Sequence, residues 1–240
     1  MIELHAALAN SLPTGWRGRL DTTVLVVLAD LDDWMAWLPQ APGLLDDGER
    51  IRVARRRDPA HARALAFAYA LHRVVLAELL GMPVAEVRIE RDAKGCPYLP
   101  GGRCNTSLSH ADGVVAVAAA TSGAVGIDIE SRARAGEMNE IAERVVHPRE
   151  LPVVAAVAPT LRGLALLDVW VRKEAVLKAA GVGLEQDMDS LWLPADGVVE
   201  LAPAGAPTRV QALPVGGDWV AAVSAPPAMP VDWAWLRPAG

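Results

Sequence analysis

Apolar residues along the chain fall into runs of two kinds. Residues 22–29 are β-branched and apolar between Asp21 and Asp30, the pattern of a buried strand. From about residue 60 to residue 80 the apolar positions recur at helical spacing, and the run stops at Gly81 ahead of Pro83, which predicts one long helix. Residues 87–90 alternate as a strand would, and Gly95, Pro97, Pro100, Gly101 and Gly102 mark a turn-rich loop after them. A second series then repeats the order. Residues 114–120 and 125–130 predict a strand pair around a Thr121-Ser122-Gly123 turn, and a second long helix is expected over about 162–180, ending at Gly181. Short strands follow at 190–193, 198–201, 208–213, 219–224 and 231–236, with Gly and Pro between them.

The two predicted helices end in glycines 100 positions apart, and the same shift lays Arg73 on Lys173. Gly is common just past any helix end, so the coincidence alone is weak evidence of duplication. It nevertheless predicts an α+β fold of two similar halves, residues 1–110 and 111–240, each a small antiparallel sheet packed on a long helix. A ligand cleft is expected between the halves. Residues 131–159 would cap or bridge them, and His147-Pro148-Arg149-Glu150 has the residues of a helix start.

With 240 residues, 52% of them hydrophobic, the chain can bury one large core or two smaller ones. Cys96 and Cys104 do not make a disulfide framework or a C-x-x-C zinc pair, and they fit a reducing cytoplasm. The start, Met1-Ile2-Glu3-Leu4-His5, lacks the basic and apolar stretches of a signal peptide. No apolar run approaches the roughly 20 residues of a membrane helix, so no membrane association is expected. A net charge of −6 argues against general nucleic-acid binding. Against that acidic background Arg50, Arg52, Arg55, Arg56, Arg57 and Arg63 form a basic cluster, which reads either as a solvated face or as a seat for a phosphorylated ligand.

Two constellations carry candidate chemistry. In Gly126-Ile127-Asp128-Ile129-Glu130, strand alternation turns both isoleucines to one side and both carboxylates to the other. In Trp170-Val171-Arg172-Lys173-Glu174-Ala175-Val176-Leu177-Lys178, a helix makes Glu174 and Lys178 neighbours, with Trp170 one turn earlier. Separately these read as a polar strand face and a surface ion pair. Together they offer three carboxylates, an oxygen set suited to Mg2+.

The pair resembles the two signatures of the 4′-phosphopantetheinyl transferases, in which G-I/V-D-I/V-E precedes W-x-x-K-E-A/S-x-x-K-x-x-G. Upstream, Asn105-Thr106-Ser107-Leu108-Ser109-His110 is similar to the family's F-N-I/L-S-H segment, and Gly95-Cys96-Pro97-Tyr98 to its G-K-P-Y loop. The resemblance runs from about Arg55 to Gly183, and chain length places it with the larger, pseudo-dimeric class of surfactin-synthetase activators. It implies an enzyme that uses Mg2+ to move phosphopantetheine from coenzyme A to a serine of an acyl or peptidyl carrier protein, releasing adenosine 3′,5′-bisphosphate. By position it implies that Asp128, Glu130 and Glu174 surround the metal, with Glu174 and Lys178 catalytic. Lys173 and Lys178 would face the phosphates, Ser109 and His110 would contact the nucleotide, and Arg63 would grip the 3′-phosphate with help from Arg55 or Arg56. A cytoplasmic monomer is expected, with carriers docking on apolar residues near 145–157. Two departures stand out: Cys96 replaces the loop's basic residue, and Cys104 the motif's Phe. Two other readings use the same residues, a magnesium-dependent phosphotransferase or hydrolase acting on another nucleotide, and an inactive carrier-binding module.

Overall fold

The computed structural model describes residues 3–182, 186–201 and 206–238; Met1, Ile2, Gly183, Ala239 and Gly240, touched on above, lie outside them. In chain order the elements are helix α1 (Leu4–Ser11), strand β1 (Val24–Asp30), helices α2 (Asp47–Ala54) and α3 (Pro59–Leu80), and strands β2 (Glu90–Arg91), β3 (Pro97–Tyr98), β4 (Asn105–Ala111), β5 (Val114–Ala120) and β6 (Gly126–Ser131). Helices α4 (Ala142–Val145), α5 (Leu151–Ala156) and α6 (Pro159–Ala180) follow, then strands β7 (Val198–Leu201), β8 (Ala206–Leu213), β9 (Trp219–Ala225) and β10 (Val231–Leu236).

The long helices α3 and α6 are built alike. Each spans 22 residues, opens on a proline whose missing N–H costs nothing in the first turn, and closes on a glycine with φ of 65°. Each covers a four-stranded sheet, ordered β10-β1-β5-β4 under α3 and β6-β9-β8-β7 under α6. Alternation along the strands sorts the core into layers. Leu25, Val27, Val115 and Val117 pack with α3, while Val24, Val26 and Val114 meet Ile127, Ile129 and Val223 between the sheets. On the far side Ala222 and Val210 pack under Val171, Ala175 and Val176 of α6. The order is helix, sheet, sheet, helix, so β1 and β5 are buried on both faces and carry unbroken apolar runs.

Several expectations fail for identifiable reasons. Residues 114–120 and 125–130 do not pair, because both edges of β5 are already taken by β1 and β4. Strand β6 pairs with β9 instead. A division at residues 110 and 111 would cut the β4–β5 hairpin, and the first sheet also takes β10 from the far end of the chain. That strand pairs parallel to β1, so the first sheet is mixed rather than antiparallel. Over 87–90 only Glu90 belongs to a strand, since the Val87 carbonyl is occupied by Arg73. Instead of a strand over 190–193 there is a 3-10 turn at Met188–Ser190, and the Leu193 N–H is held by Glu150.

Arg73 and Lys173 reveal the strongest likeness between the halves. Arg73 donates to Glu49 and Asp46, each at 2.7 Å, and to the Val87 carbonyl. Lys173 lies 2.7 Å from Glu150 and donates to the Val145 carbonyl at 2.7 Å and the Met188 carbonyl at 3.0 Å. Glu49 also accepts from the Asp46 N–H at 3.0 Å, as Glu150 does from the His147 N–H at 2.9 Å. Arg73, Glu49, Asp46 and Val87 correspond to Lys173, Glu150, His147 and Met188 at shifts of 100 or 101 positions. Lys173 is therefore a structural cation: its side chain is 0% exposed, and it does not face a phosphate site. Burial lowers its pKa, and the Glu150 carboxylate works against that shift.

Removing one partner of such a pair leaves the other charged and unmatched. Lys173→Ala is accordingly expected to cost about 3–5 kcal/mol in urea unfolding. A loss well below about 1 kcal/mol, the worth of an exposed pair, would contradict this assignment.

Candidate active site

Strand β6 turns Ile127 and Ile129 into the layer between the sheets and leaves Gly126, Asp128 and Glu130 facing α6. Gly126 sets how closely the helix can approach. A β-carbon there would lie 1.9 Å from the Ala175 carbonyl oxygen and 2.6 Å from the Ala179 nitrogen, so no larger residue fits. A second pin lies near the other end of α6, where a β-carbon on Gly163 would meet the Ala135 carbonyl oxygen at 2.2 Å. Seated this closely, α6 lays Glu174 and Lys178 beside Asp128 and Glu130, and all four line one cavity of about 330 Å³.

The fourth wall comes from the first sheet. Strand β4 is one edge of it, as β6 is one edge of the second sheet, and serine side chains bridge the two. The Ile127 N–H donates to Ser107 Oγ at 3.1 Å, and Ser109 Oγ donates to Asp128 Oδ1 at 2.7 Å. Lys178 Nζ closes the triangle, 2.8 Å from Ser109 Oγ and 2.6 Å from Asp128 Oδ1. Asp128 is 4% exposed, and its Oδ2 is buried without a hydrogen-bond partner. Glu130 pairs with Arg134, whose guanidinium sits 4.7 Å from the centroid of the Trp170 ring.

The carboxylates press on one another. Burial, with the nearby Asp128 charge, pushes the Glu174 carboxyl up to about 7, Glu130 adding to the shift and Lys178 opposing it. Burial and Asp128 likewise raise Glu130. Burial lowers His110, with Lys178 and Arg56 adding to the effect. Among the described residues no three His, Cys, Asp or Glu side chains form a ready metal cage. The reason is local: Asp128 Oδ1 is held by Ser109 and Lys178, and Glu130 by Arg134. The donors nonetheless suit a hard divalent cation, because Asp128 Oδ2 lacks a partner, and Lys178 and Arg134 do not outweigh the burial and neighbouring carboxylate charges that raise Glu174.

Two chambers adjoin the cavity. One, of about 790 Å³, lies between the loop 94–102 and the end of α6 and shares Arg91, Leu108, Glu174 and Lys178 with it. The other, of about 540 Å³, lies at the start of α3 and shares Arg56, Leu65 and His110. The expected residues Asp128, Glu130, Glu174, Lys178, Ser109, His110 and Arg56 therefore converge on the central cavity. Arg63 lines the chamber at the start of α3, whereas Arg55 caps α2, exposed, and lines none of the three. Lys173 points away into the core. Cys96 and Cys104 both line the larger chamber, and burial raises both thiols, Cys104 to about 11.

Two functional candidates were not apparent from the sequence. Arg91 lines both the central cavity and the larger chamber, lies 5.0 Å from the Tyr69 ring centroid and donates to the Gly95 carbonyl at 2.8 Å. His61 joins Arg63 in the chamber at the start of α3. Arg91 had one signal, its place just before the glycine-bearing loop; His61 belonged only to a helix start.

Residues 124–223 match the sequence model of the 4′-phosphopantetheinyl transferase superfamily. Over that segment, less than half of its length, the chain is similar to this superfamily. A 4′-phosphopantetheinyl transferase of Nostoc sp. (strain PCC 7120 / SAG 25.82 / UTEX 2576), HetI, is 27% identical over 159 residues, which is 64% of this chain and 67% of that protein. The gsp 4′-phosphopantetheinyl transferase of Aneurinibacillus migulanus is 29% identical over 124 residues, 51% of this chain and 50% of its own length. The superfamily match contains Asp128, Glu130, Glu174 and Lys178; Arg56, Arg63, Ser109 and His110 precede it.

Gly126→Ala should force α6 off the strand and cost about 2–3 kcal/mol or more in urea unfolding, as overpacked sites do. Wild-type stability would contradict the close contact. Glu174 gives a pH-dependent prediction. Its folded carboxyl lies above the ordinary 4.5, so ionisation disfavours the folded state, and the wild type loses stability as pH rises from 4.5 through about 7. In metal-free buffer Glu174→Gln should remove that loss and be the more stable protein above neutrality. Parallel stability curves for the two proteins across this range would contradict the burial argument.

Proposed function

We propose that this chain transfers the 4′-phosphopantetheine group of coenzyme A to a serine of an apo acyl or peptidyl carrier protein, using Mg2+ and releasing adenosine 3′,5′-bisphosphate. One observation carries the reading: three carboxylates and a lysine from a strand and a helix distant in sequence face one cavity at the seam of the two sheets. Similarity to the superfamily over residues 124–223, which include all four side chains, supports the chemistry given to that cavity.

Asp128, through its unpartnered Oδ2, Glu130 and Glu174 would hold the magnesium ion. Bound there, the ion would supply charge neutralisation and orientation for a diphosphate. Lys178 reaches the same cavity and carries the positive charge that faces the transferred phosphoryl group. Glu174, which faces the same cavity as Lys178, is assigned to take the proton of the attacking serine hydroxyl. The bond formed joins the serine oxygen to the β-phosphorus, and the bond broken frees adenosine 3′,5′-bisphosphate. No enzyme nucleophile is required, since positioning and charge carry this class of reaction.

The remaining cations suit the nucleotide. Arg56, Arg63 and His110 line the chamber at the start of α3, and Arg63 is assigned to the 3′-phosphate. Ser109, which lines the central cavity, is assigned first to Asp128 and Lys178, and Arg55, which lies outside the chambers, is given no direct contact. The two halves, each with its 22-residue helix and buried cation–glutamate pair, are assigned to an internal duplication that forms a pseudo-dimer within one monomeric chain.

Carrier docking is assigned to the exposed apolar residues Leu151 and Val153 of α5, with Trp192 and its stacked Arg149 beside them. Apolar contact with a basic rim suits an acidic carrier. No described helix is long and apolar enough to cross a membrane, and action in the cytoplasm completes the proposal.

Mass spectrometry of apo carrier proteins from fatty-acid, polyketide and nonribosomal-peptide systems, incubated with enzyme, coenzyme A and Mg2+, should show the gain of one phosphopantetheine. Asp128→Ala and Glu174→Ala should each lower transfer at least about 100-fold with unchanged circular dichroism. No modification of any carrier by the wild type, or full magnesium-dependent transfer by either variant, would overturn the proposal.

A further inference from the structure

Ser109 lines the central cavity, and its geometry is tightly defined. It is 5% exposed on the edge strand β4, donates to Asp128 Oδ1 at 2.7 Å and accepts from Lys178 at 2.8 Å. Ser107, two residues earlier, fixes the backbone of the same neighbouring strand by accepting from the Ile127 N–H at 3.1 Å. Strand β4 is thereby registered against Gly126–Ser131 before the Ser109 hydroxyl acts on Asp128.

We propose that Ser109 is a positioning residue for the divalent cation, acting through Asp128. The terminal torsion of an Asp side chain is soft and nearly two-fold, so an unheld carboxylate can present either oxygen. The Ser109 hydroxyl removes that choice by occupying Oδ1, leaving Oδ2 as the oxygen without a partner. Lys178 also sits on Oδ1, but its long, flexible stem must be available to a substrate phosphate. When the ammonium turns to that phosphate, the serine keeps the carboxylate in place. Ser109 belongs to the first sheet and Asp128 to the second, so the aim of the cation ligand depends on the register of the two halves.

This inference rests on the proposal that Asp128 binds the cation, and Mn2+ binding to the intact enzyme without coenzyme A separates the two claims. The readout is free Mn2+ by electron paramagnetic resonance. Ser109→Ala should weaken Mn2+ binding about tenfold, the usual effect of losing a hydrogen bond to a ligand, while Ser109→Thr, which keeps the hydroxyl, should stay within about threefold of wild type. Affinity for adenosine 3′,5′-bisphosphate in metal-free buffer should be unchanged in both. Wild-type Mn2+ affinity in folded Ser109→Ala, or a folded Thr variant as weak as the Ala variant, contradicts the positioning role. Loss of nucleotide affinity with Mn2+ affinity unchanged contradicts it too and makes Ser109 a nucleotide contact. If Asp128→Ala binds Mn2+ as tightly as wild type, the cation site itself is wrong.

Discussion

Two free sheet edges meet at the centre of this protein, joined by side chains where a backbone ladder is absent. Exposed edges present unpaired backbone groups that ordinarily must be blocked or covered. Here Ser107 accepts one such N–H, from Ile127, and Ser109 reaches the carboxylate of the next residue. Glycine completes the seam: with no side chain at position 126, α6 lies against β6 and brings Glu174 and Lys178 to the same place. Shifting β4 by one residue would turn both serines to the α3 side and put Thr106 and Leu108 in their place. The site therefore depends on strand register.

The halves balance buried charge in different ways. Outside the central cavity, each long helix neutralises a buried cation with a glutamate from the helix-start segment before it, Arg73 with Glu49 and Lys173 with Glu150. Apart from Arg73 Nε, which is buried without a partner, those pairs are satisfied, and they hold the helices and neighbouring turns in place. At the seam satisfaction is incomplete: Asp128 keeps an unpartnered oxygen, and Glu174 is pushed up to about 7 by burial and by Asp128. Perturbed carboxylates in a cavity between two well-paired halves mark a place that stores unfavourable charge for a ligand to relieve. A cation with a diphosphate offsets both the negative charge of the walls and the positive charge of Arg56 and Lys178 that line the same cavity.

Local pattern disclosed much of this. Alternation in Gly126–Ser131 correctly separated the core isoleucines from the carboxylates, and helical spacing placed Glu174 and Lys178 together. Both long helices were evident from periodicity and their terminal glycines. Long-range pairing was not, since an apolar run such as 114–120 fits any strand partner, and nothing local says that β10 returns to lie parallel to β1. Lys173 misled because a lysine next to Glu174 on a helix is only one position away in sequence but about 100° away around the axis. The Ser109 contact with Asp128 was hidden for the same reason as the strand pairing, because it crosses between sheets.

A crystal structure of the protein grown with coenzyme A and Mn2+, with the ion located by anomalous scattering, is the most direct check on this arrangement. The seam predicts a single ion liganded by Asp128 Oδ2 and Glu174, with diphosphate oxygens on its open side and Ser109 still bonded to Asp128 Oδ1. An ion bound elsewhere, or Glu174 turned away from Asp128 with coenzyme A in place, would contradict it.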